Sequence, residues 1–168
     1  MCGVAPTSVI ACIALGSNLG DRQAILVSAL SDLSRLPNTR LVSHSGFLET
    51  APVGPPQPGY LNAAATIETS LSPRDVLTHL LAIEKVHHRT RDTGSRWGPR
   101  TLDLDLLLYG DLVLDEPGLT IPHPLLHIRR FVLEPLAQIA PLARIPPGGE
   151  TVEQALRALE PLPTGTAR

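Results

Sequence analysis

Little in this chain of 168 residues is aromatic, sulphur-bearing or strongly basic. Cysteine occurs twice, at Cys2 and Cys12, which excludes a disulfide framework and any Cys-x-x-Cys metal site. Positive charge has no surplus: 14 Lys and Arg stand against 16 Asp and Glu, a formal net charge of −2. That balance argues against a general nucleic-acid or membrane-surface binder. No apolar run reaches the roughly 20 residues that a membrane-spanning helix needs. The stretch VIACIALG near the N-terminus is too short and lacks a preceding basic region, so it reads as a strand, not a signal peptide. The cytosol is the expected compartment. Aromatic residues number only five, so each matters as core or as a stacking surface.

What is present is a globular composition, 43% hydrophobic and 18% charged, at a length suited to one domain over residues 1–168. Val9 to Leu15 read as a buried strand, followed by the turn GSNLGD. A helix is expected from Asp21 to Leu36, with Asp21 as cap and Leu26, Ala29, Leu30 and Leu33 at helical spacing. A second strand is expected over Leu41 to Leu48. The Pro/Gly-rich stretch ETAPVGPPQPGYLN must then be a loop, and a loop of that length in a compact domain is usually functional or disordered. A strand resumes at AAATIET. Ser72 caps the next helix, with Pro73 in its first turn, and Leu77, Leu80, Leu81 and Glu84 are placed on one face. That helix fades into a second polar loop, HHRTRDTGSRWGP. Gly110-Asp111 reads as a two-residue hairpin turn into LVLD. Helices at about 125–140 and 151–159 follow, the last opened by Thr151 and Gln154 as a capping box. This order predicts a split βαβ domain with a mostly antiparallel sheet and helices on its faces.

The segment RWGPRTLDLDLLLYGD carries the sharpest chemical signal. From Thr101 it alternates, so Leu102, Leu104, Leu106 and Leu108 should face one way and Asp103 and Asp105 the other. Alternate residues on a strand lie about 6.5 to 7 Å apart at Cα, close enough for two carboxylates to converge on Mg²⁺, which takes one or two carboxylates plus waters and phosphates. Solubilising acids on a half-exposed strand would explain the pair as well, but adjacent like charges cost free energy unless a cation neutralises them. Arg89, Arg91, Arg96 and Arg100 lie just upstream. Arginine stays charged and matches phosphate oxygens bidentately, so Arg with Asp-bound Mg²⁺ suits a polyphosphate; surface ion pairs are the alternative. The GSNLGD turn lacks the Lys of a Walker A loop, and a strand-to-helix turn explains it. Tyr60 and Phe131 are candidates to clamp a planar heterocycle whose edge Asn62 would read. Packing in an amphipathic helix explains Phe131 equally, and a surface position explains His123 between Pro122 and Pro124.

Four stretches, ALGSNLGDR, ETAPVGPPQPGYLNA, RWGPRTLDLDLLLYG and IPHPLLHIRRFVLEPL, resemble in order and spacing the 6-hydroxymethyl-7,8-dihydropterin pyrophosphokinases of folate biosynthesis, over roughly residues 9–142. The resemblance implies a ferredoxin-like α/β (α+β) fold and transfer of a pyrophosphoryl group from ATP to the pterin hydroxymethyl, with AMP as the other product. It also implies two Mg²⁺ ions held by Asp103 and Asp105, and a catalytic set that includes Arg89, Arg91 and Arg100. The pterin would lie between Tyr60 and Phe131, with Asn62, Trp97 and the stretch Thr50, Ala51 and Val53 around it. Glu84, Arg89, Arg91, Arg96, Trp97, Arg100, Ile121, His123 and Arg129 would line the ATP side. A nucleotidyltransferase would use the same metals, but its Gly-Ser normally lies close to its acids, whereas Ser17 and Asp103 are far apart. An RNA-binding module needs exposed sheet aromatics and a basic surface, and a chain with two Phe and an acidic balance disfavours it. A monomer acting on small molecules, without nucleic acid or membrane, is expected.

Overall fold

Strand β1 (Val9–Ser17) sits inside a five-stranded sheet and feeds both of its faces. The computed structural model describes residues 7–52, 54–88 and 99–159. Along β1, Ala11, Ile13 and Leu15 enter one hydrophobic core and Cys12 enters another, as the two-residue period of a strand requires. Strands β2 (Thr39–His44), β3 (Leu48–Thr50), β4 (Tyr60–Thr69) and β5 (Asp103–Tyr109) complete the sheet in the order β2-β4-β1-β5, with β3 also paired to β4. All of these pairings are antiparallel. Since β1 and β2 both oppose β4, they run parallel to each other with β4 inserted between them, which is the predicted split βαβ arrangement.

Helices α1 (Arg22–Ser34) and α2 (Pro73–Val86) close the first core, and α3 (Arg130–Ile139) with α4 (Val152–Ala158) closes the second. Local chemistry sets their starts. Asp21 accepts a hydrogen bond from Ala24 N–H, Ser72 accepts one from Asp75 N–H, and Thr151 with Gln154 forms the capping box. Cys12 lies in the second core, where burial pushes its thiol up to about 12.

Several boundaries depart from the sequence reading. The strand expected over 41–48 is two strands, because Ser45 turns inward: its N–H donates to Ala64 O at 2.8 Å and its Oγ accepts from Ala64 N–H at 2.9 Å. Tyr60 begins β4 rather than ending a loop. The leucine alternation holds through Leu106 and then breaks. Cys12 pairs with Leu108 and Ile13 with Leu106, so Leu107 is extra, and Leu107 and Leu108 both pack in the second core. Gly110 does turn the chain, with φ of 51°, but the strand that follows, β6 (Leu114–Glu116), pairs with β7 (Leu119–Ile121) instead of returning along β5. On α2 the buried face is Val76, Leu80, Ile83 and Glu84, one position round from the expected one. A short 3₁₀ turn (Leu126–Ile128) precedes α3, which starts only at Arg130.

Candidate active site

A cleft of about 520 Å³ opens where β1, β4 and β5 meet α2 and the start of α3. Two small residues of β1, Ala14 and Gly16, line its floor. One cross-strand row reads Leu48, Asn62, Gly16, Asp103, and the next reads Ala64, Ala14, Asp105. With only hydrogen at Gly16 and methyl at Ala14, the side chains on either side share an open space. A Cβ built on Gly16 would stand 3.3 Å from Asn62 Oδ1 and 3.8 Å from Tyr60 Cδ1.

The two acids face this space, as the strand period predicts. Asp103 Oδ2 lies 2.9 Å from Arg100 Nη1, and Asp105 Oδ2 lies 3.9 Å from both His123 Nε2 and Arg129 Nη1. His123 is fixed from behind: its N–H donates to Leu107 O at 2.9 Å, and its Nδ1 accepts from Leu125 N–H at 3.2 Å. Those bonds aim Nε2 at Asp105. Burial holds the imidazole below its ordinary pKa and the Arg129 charge adds to this, while Asp105 and Asp103 pull the other way. The donor set fits Mg²⁺. Two carboxylates on one face match an ion that completes its coordination with phosphate and water, and among the described residues no group of three or more His, Cys, Asp or Glu forms a closed cage.

The opposite wall is suited to a flat ring. Asn62 Nδ2 donates to Thr50 Oγ1 at 2.6 Å, which fixes the carboxamide on the floor. Tyr60, Thr50, Ala51 and Phe131 stand around it. The Arg129 guanidinium lies 5.7 Å from the centroid of the Phe131 ring, a cation–π distance that links the acids' cationic neighbours to the aromatic wall.

Glu84 also supports the sheet. It is buried, and its Oε1 accepts Leu104 N–H at 2.8 Å, covering the outer edge of β5. Of the site residues expected from the sequence, Asp103, Asp105, Arg100, Thr50, Ala51, Tyr60, Asn62, Phe131, Glu84, His123 and Arg129 all line the one cleft. Ile121 does not: its side chain is 1% exposed and packs in the first core. Val53, Arg89, Arg91, Arg96 and Trp97 lie outside the described residues. Sequence reasoning missed Gly16, Leu77 and Leu81 as lining residues. The leucines on α2 were there to be noticed, but their direction depends on the rotation of the helix against the sheet.

The model of one protein family, described as 7,8-dihydro-6-hydroxymethylpterin-pyrophosphokinase (HPPK), matches residues 12–141. The 2-amino-4-hydroxy-6-hydroxymethyldihydropteridine pyrophosphokinase of Pseudomonas aeruginosa is 48% identical over 137 residues, covering 81% of this chain and 83% of its own length. Its namesake in Haemophilus influenzae is 50% identical over 133 residues, covering 79% and 82%. Among solved structures, Plasmodium falciparum HPPK-DHPS with pterin and p-hydroxybenzoate superposes with a TM-score of 0.70 at 14% identity. That match covers 92% of this chain but 44% of the longer Plasmodium chain, and at such low identity it speaks for the fold alone. With a family model spanning most of its length and relatives near half identity, the chain belongs to the 7,8-dihydro-6-hydroxymethylpterin-pyrophosphokinase family.

Proposed function

We propose a division of labour in this cleft for the reaction of the family. The chain is an ATP-dependent pyrophosphokinase of folate biosynthesis, which transfers the pyrophosphoryl group of ATP to the hydroxymethyl group of 6-hydroxymethyl-7,8-dihydropterin. The observation that carries the residue assignment is the convergence of two unlike walls on one small-residue floor: Asp103 and Asp105 with their cationic neighbours, and Tyr60, Asn62 and Phe131.

In our reading the pterin lies between Tyr60 and Phe131, with Asn62 and the stretch Thr50, Ala51 and Val53 at its edge and Trp97 nearby. Arg100, His123 and Arg129, together with Arg89, Arg91, Arg96, Trp97 and Glu84, serve the ATP side. Two Mg²⁺ ions held by Asp103 and Asp105 would neutralise polyphosphate charge and polarise the transferred group. The pterin alcohol attacks the β-phosphorus in line; the bond from that phosphorus to the oxygen bridging it to the α-phosphorus breaks, and AMP leaves. Asp103, across Gly16 from Asn62 and so nearest the ring wall along that row, is the group we assign to receive the alcohol proton. Arginines stabilise the charge that grows on the departing oxygen, and positioning supplies most of the remainder. We read the protein as a single domain acting as a monomer in the cytosol, without nucleic acid or membrane. Among the described residues no helix is long and apolar enough to cross a membrane.

Incubation of the protein with ATP, Mg²⁺ and the hydroxymethyl-dihydropterin should yield AMP and the pterin pyrophosphate, and release of ADP or free pyrophosphate would overturn the reading. Asp105→Asn should lower turnover by about three orders of magnitude, several kcal/mol of transition-state stabilisation, with an unchanged circular dichroism spectrum. Near-normal turnover of that variant in saturating Mg²⁺ would dismiss the metal assignment.

A further inference from the structure

The turn that leaves β1 does more than reverse the chain. Asn18 is 1% exposed, and its side-chain donor and acceptor atoms are engaged by two distant segments. Its Nδ2 donates to Gln57 Oε1 at 3.0 Å and to Pro58 O at 3.2 Å, 39 and 40 residues away. Its Oδ1 accepts Arg100 N–H at 2.7 Å, 82 residues away, and its own N–H donates to Arg100 O at 3.1 Å. The first segment leads into Tyr60 and the ring wall. The second leads into Asp103, which the Arg100 side chain also holds.

The Pro-rich segment needs such an anchor. Pro55, Pro56 and Pro58 have no N–H to give, and the segment has few apolar side chains with which to build a core. It is therefore held from outside. Arg22 supports it at the surface, donating to Gly59 O at 2.8 Å and to Glu49 Oε1 at 3.1 Å. Asn18 supports it from within. Resting on the role proposed above for the two walls, we infer that Asn18 is a positioning residue for the transfer: a single rigid carboxamide sets the spacing between the ring wall and the phosphate wall. The job demands two donors and one acceptor on a short planar group, which Asn alone supplies at that length. Asp keeps the acceptor but presents oxygen to the Pro58 carbonyl, which has no hydrogen to offer in return. Ala removes all of the side-chain bonds.

A turn that is merely structural would also lose stability on substitution, so the test reads kinetics and local order beside the melting temperature. Asn18→Ala should lower kcat/KM for the pterin by about 100-fold, the scale of an ångström-sized misplacement of reacting groups. Gln57→Ala removes a loop-side bond of Asn18 and leaves the Arg100 side in place. It should raise the pterin KM by about three- to tenfold while leaving affinity for an unreactive ATP analogue unchanged. In the ligand-free protein, Asn18→Ala should speed hydrogen exchange at the amides of Gln57, Gly59 and Arg100 together. Wild-type kcat and KM in a folded Asn18→Ala variant would overturn the inference. Should that variant fail to fold, an unchanged pterin KM in Gln57→Ala would overturn it instead. A wild-type chain that made no AMP would sink the assigned reaction, whereas the exchange result, which needs no substrate, would still report on the clasp.

Discussion

Gly16 lies midway along the row that joins Asn62 to Asp103, and its missing side chain is what lets the ring wall and the acid wall share one floor. The tolerance is narrow, because an added Cβ would approach Asn62 Oδ1 to 3.3 Å. Asn62 cannot simply retreat, since its Nδ2 is bound to Thr50 Oγ1 at 2.6 Å. Gly16→Ala should therefore twist the carboxamide away from the ring edge, at a cost of about 1 kcal/mol or more in pterin binding. Affinity for ATP should change little, because the methyl faces Asn62 and Tyr60 rather than the acids' cationic partners. Calorimetric titration with each ligand separately checks this. Equal losses for both ligands would mean that the floor deforms as a whole and that Asn62 has no private role. Such a residue is hard to read from sequence: a glycine at the end of a strand is commonplace, and only the cross-strand neighbours reveal why it is needed. The acids were legible for the opposite reason. Asp103 and Asp105 are two positions apart on one strand, so the strand period alone brings them together.

At the scale of elements, β5 carries both acids and forms the edge of the sheet beyond β1. An edge strand presents backbone donors that need partners, and Glu84 on α2 provides one by accepting Leu104 N–H between the two acids. The helix thus helps to hold the strand that carries both acids. Glu84→Leu should cost about 1 to 3 kcal/mol of stability by leaving a buried N–H without that acceptor, and it should also weaken Mg²⁺-ATP binding. Glu84→Gln, which keeps an oxygen in place, should recover most of the stability. Urea unfolding of both variants distinguishes the cases; equal losses would point to the carboxylate charge rather than the backbone bond. The starts of α1, α2 and α4 were legible because caps are local: Asp21, Ser72 and Thr151 each bind an N–H three residues ahead. Helix α3, which has no side-chain cap, starts later than its sequence suggests. The strand break after His44 was not legible. It depends on Ser45 meeting Ala64, and on Gly46 N–H reaching Gln138 Oε1 from 92 residues away. The extra residue at Leu107 is likewise decided by pairing with Cys12 and Ile13, which no window of sequence around Leu107 contains. Ile121 shows the same limit. Its place two residues before His123 suggests the cleft, but it ends β7 with its side chain turned into the first core.

For the whole molecule, the decisive feature is that two cores lie on opposite faces of one sheet and share its central strands. Strand β1 gives Ile13 to one and Cys12 to the other, and β4 gives Ala65 to one and Ala64 to the other. Neither core can be lost without disturbing β1 and β4, and the cleft is built from residues of these same strands. Unfolding should accordingly be a single transition, as is usual for a domain of this size. Leu80 on α2 and Leu133 on α3 are fully buried, one in each core. Leu80→Ala and Leu133→Ala should each remove about 2 to 5 kcal/mol and shift the same transition, with far-ultraviolet dichroism and loss of ligand binding falling together. Each should also lower activity near the melting point in proportion to the unfolded fraction, since α2 and α3 supply walls of the cleft. Two separated transitions, with only one of them moved by each substitution, would show that the faces fold independently. The single-domain reading would then fail, and the cleft would have to be described as an interface between two units.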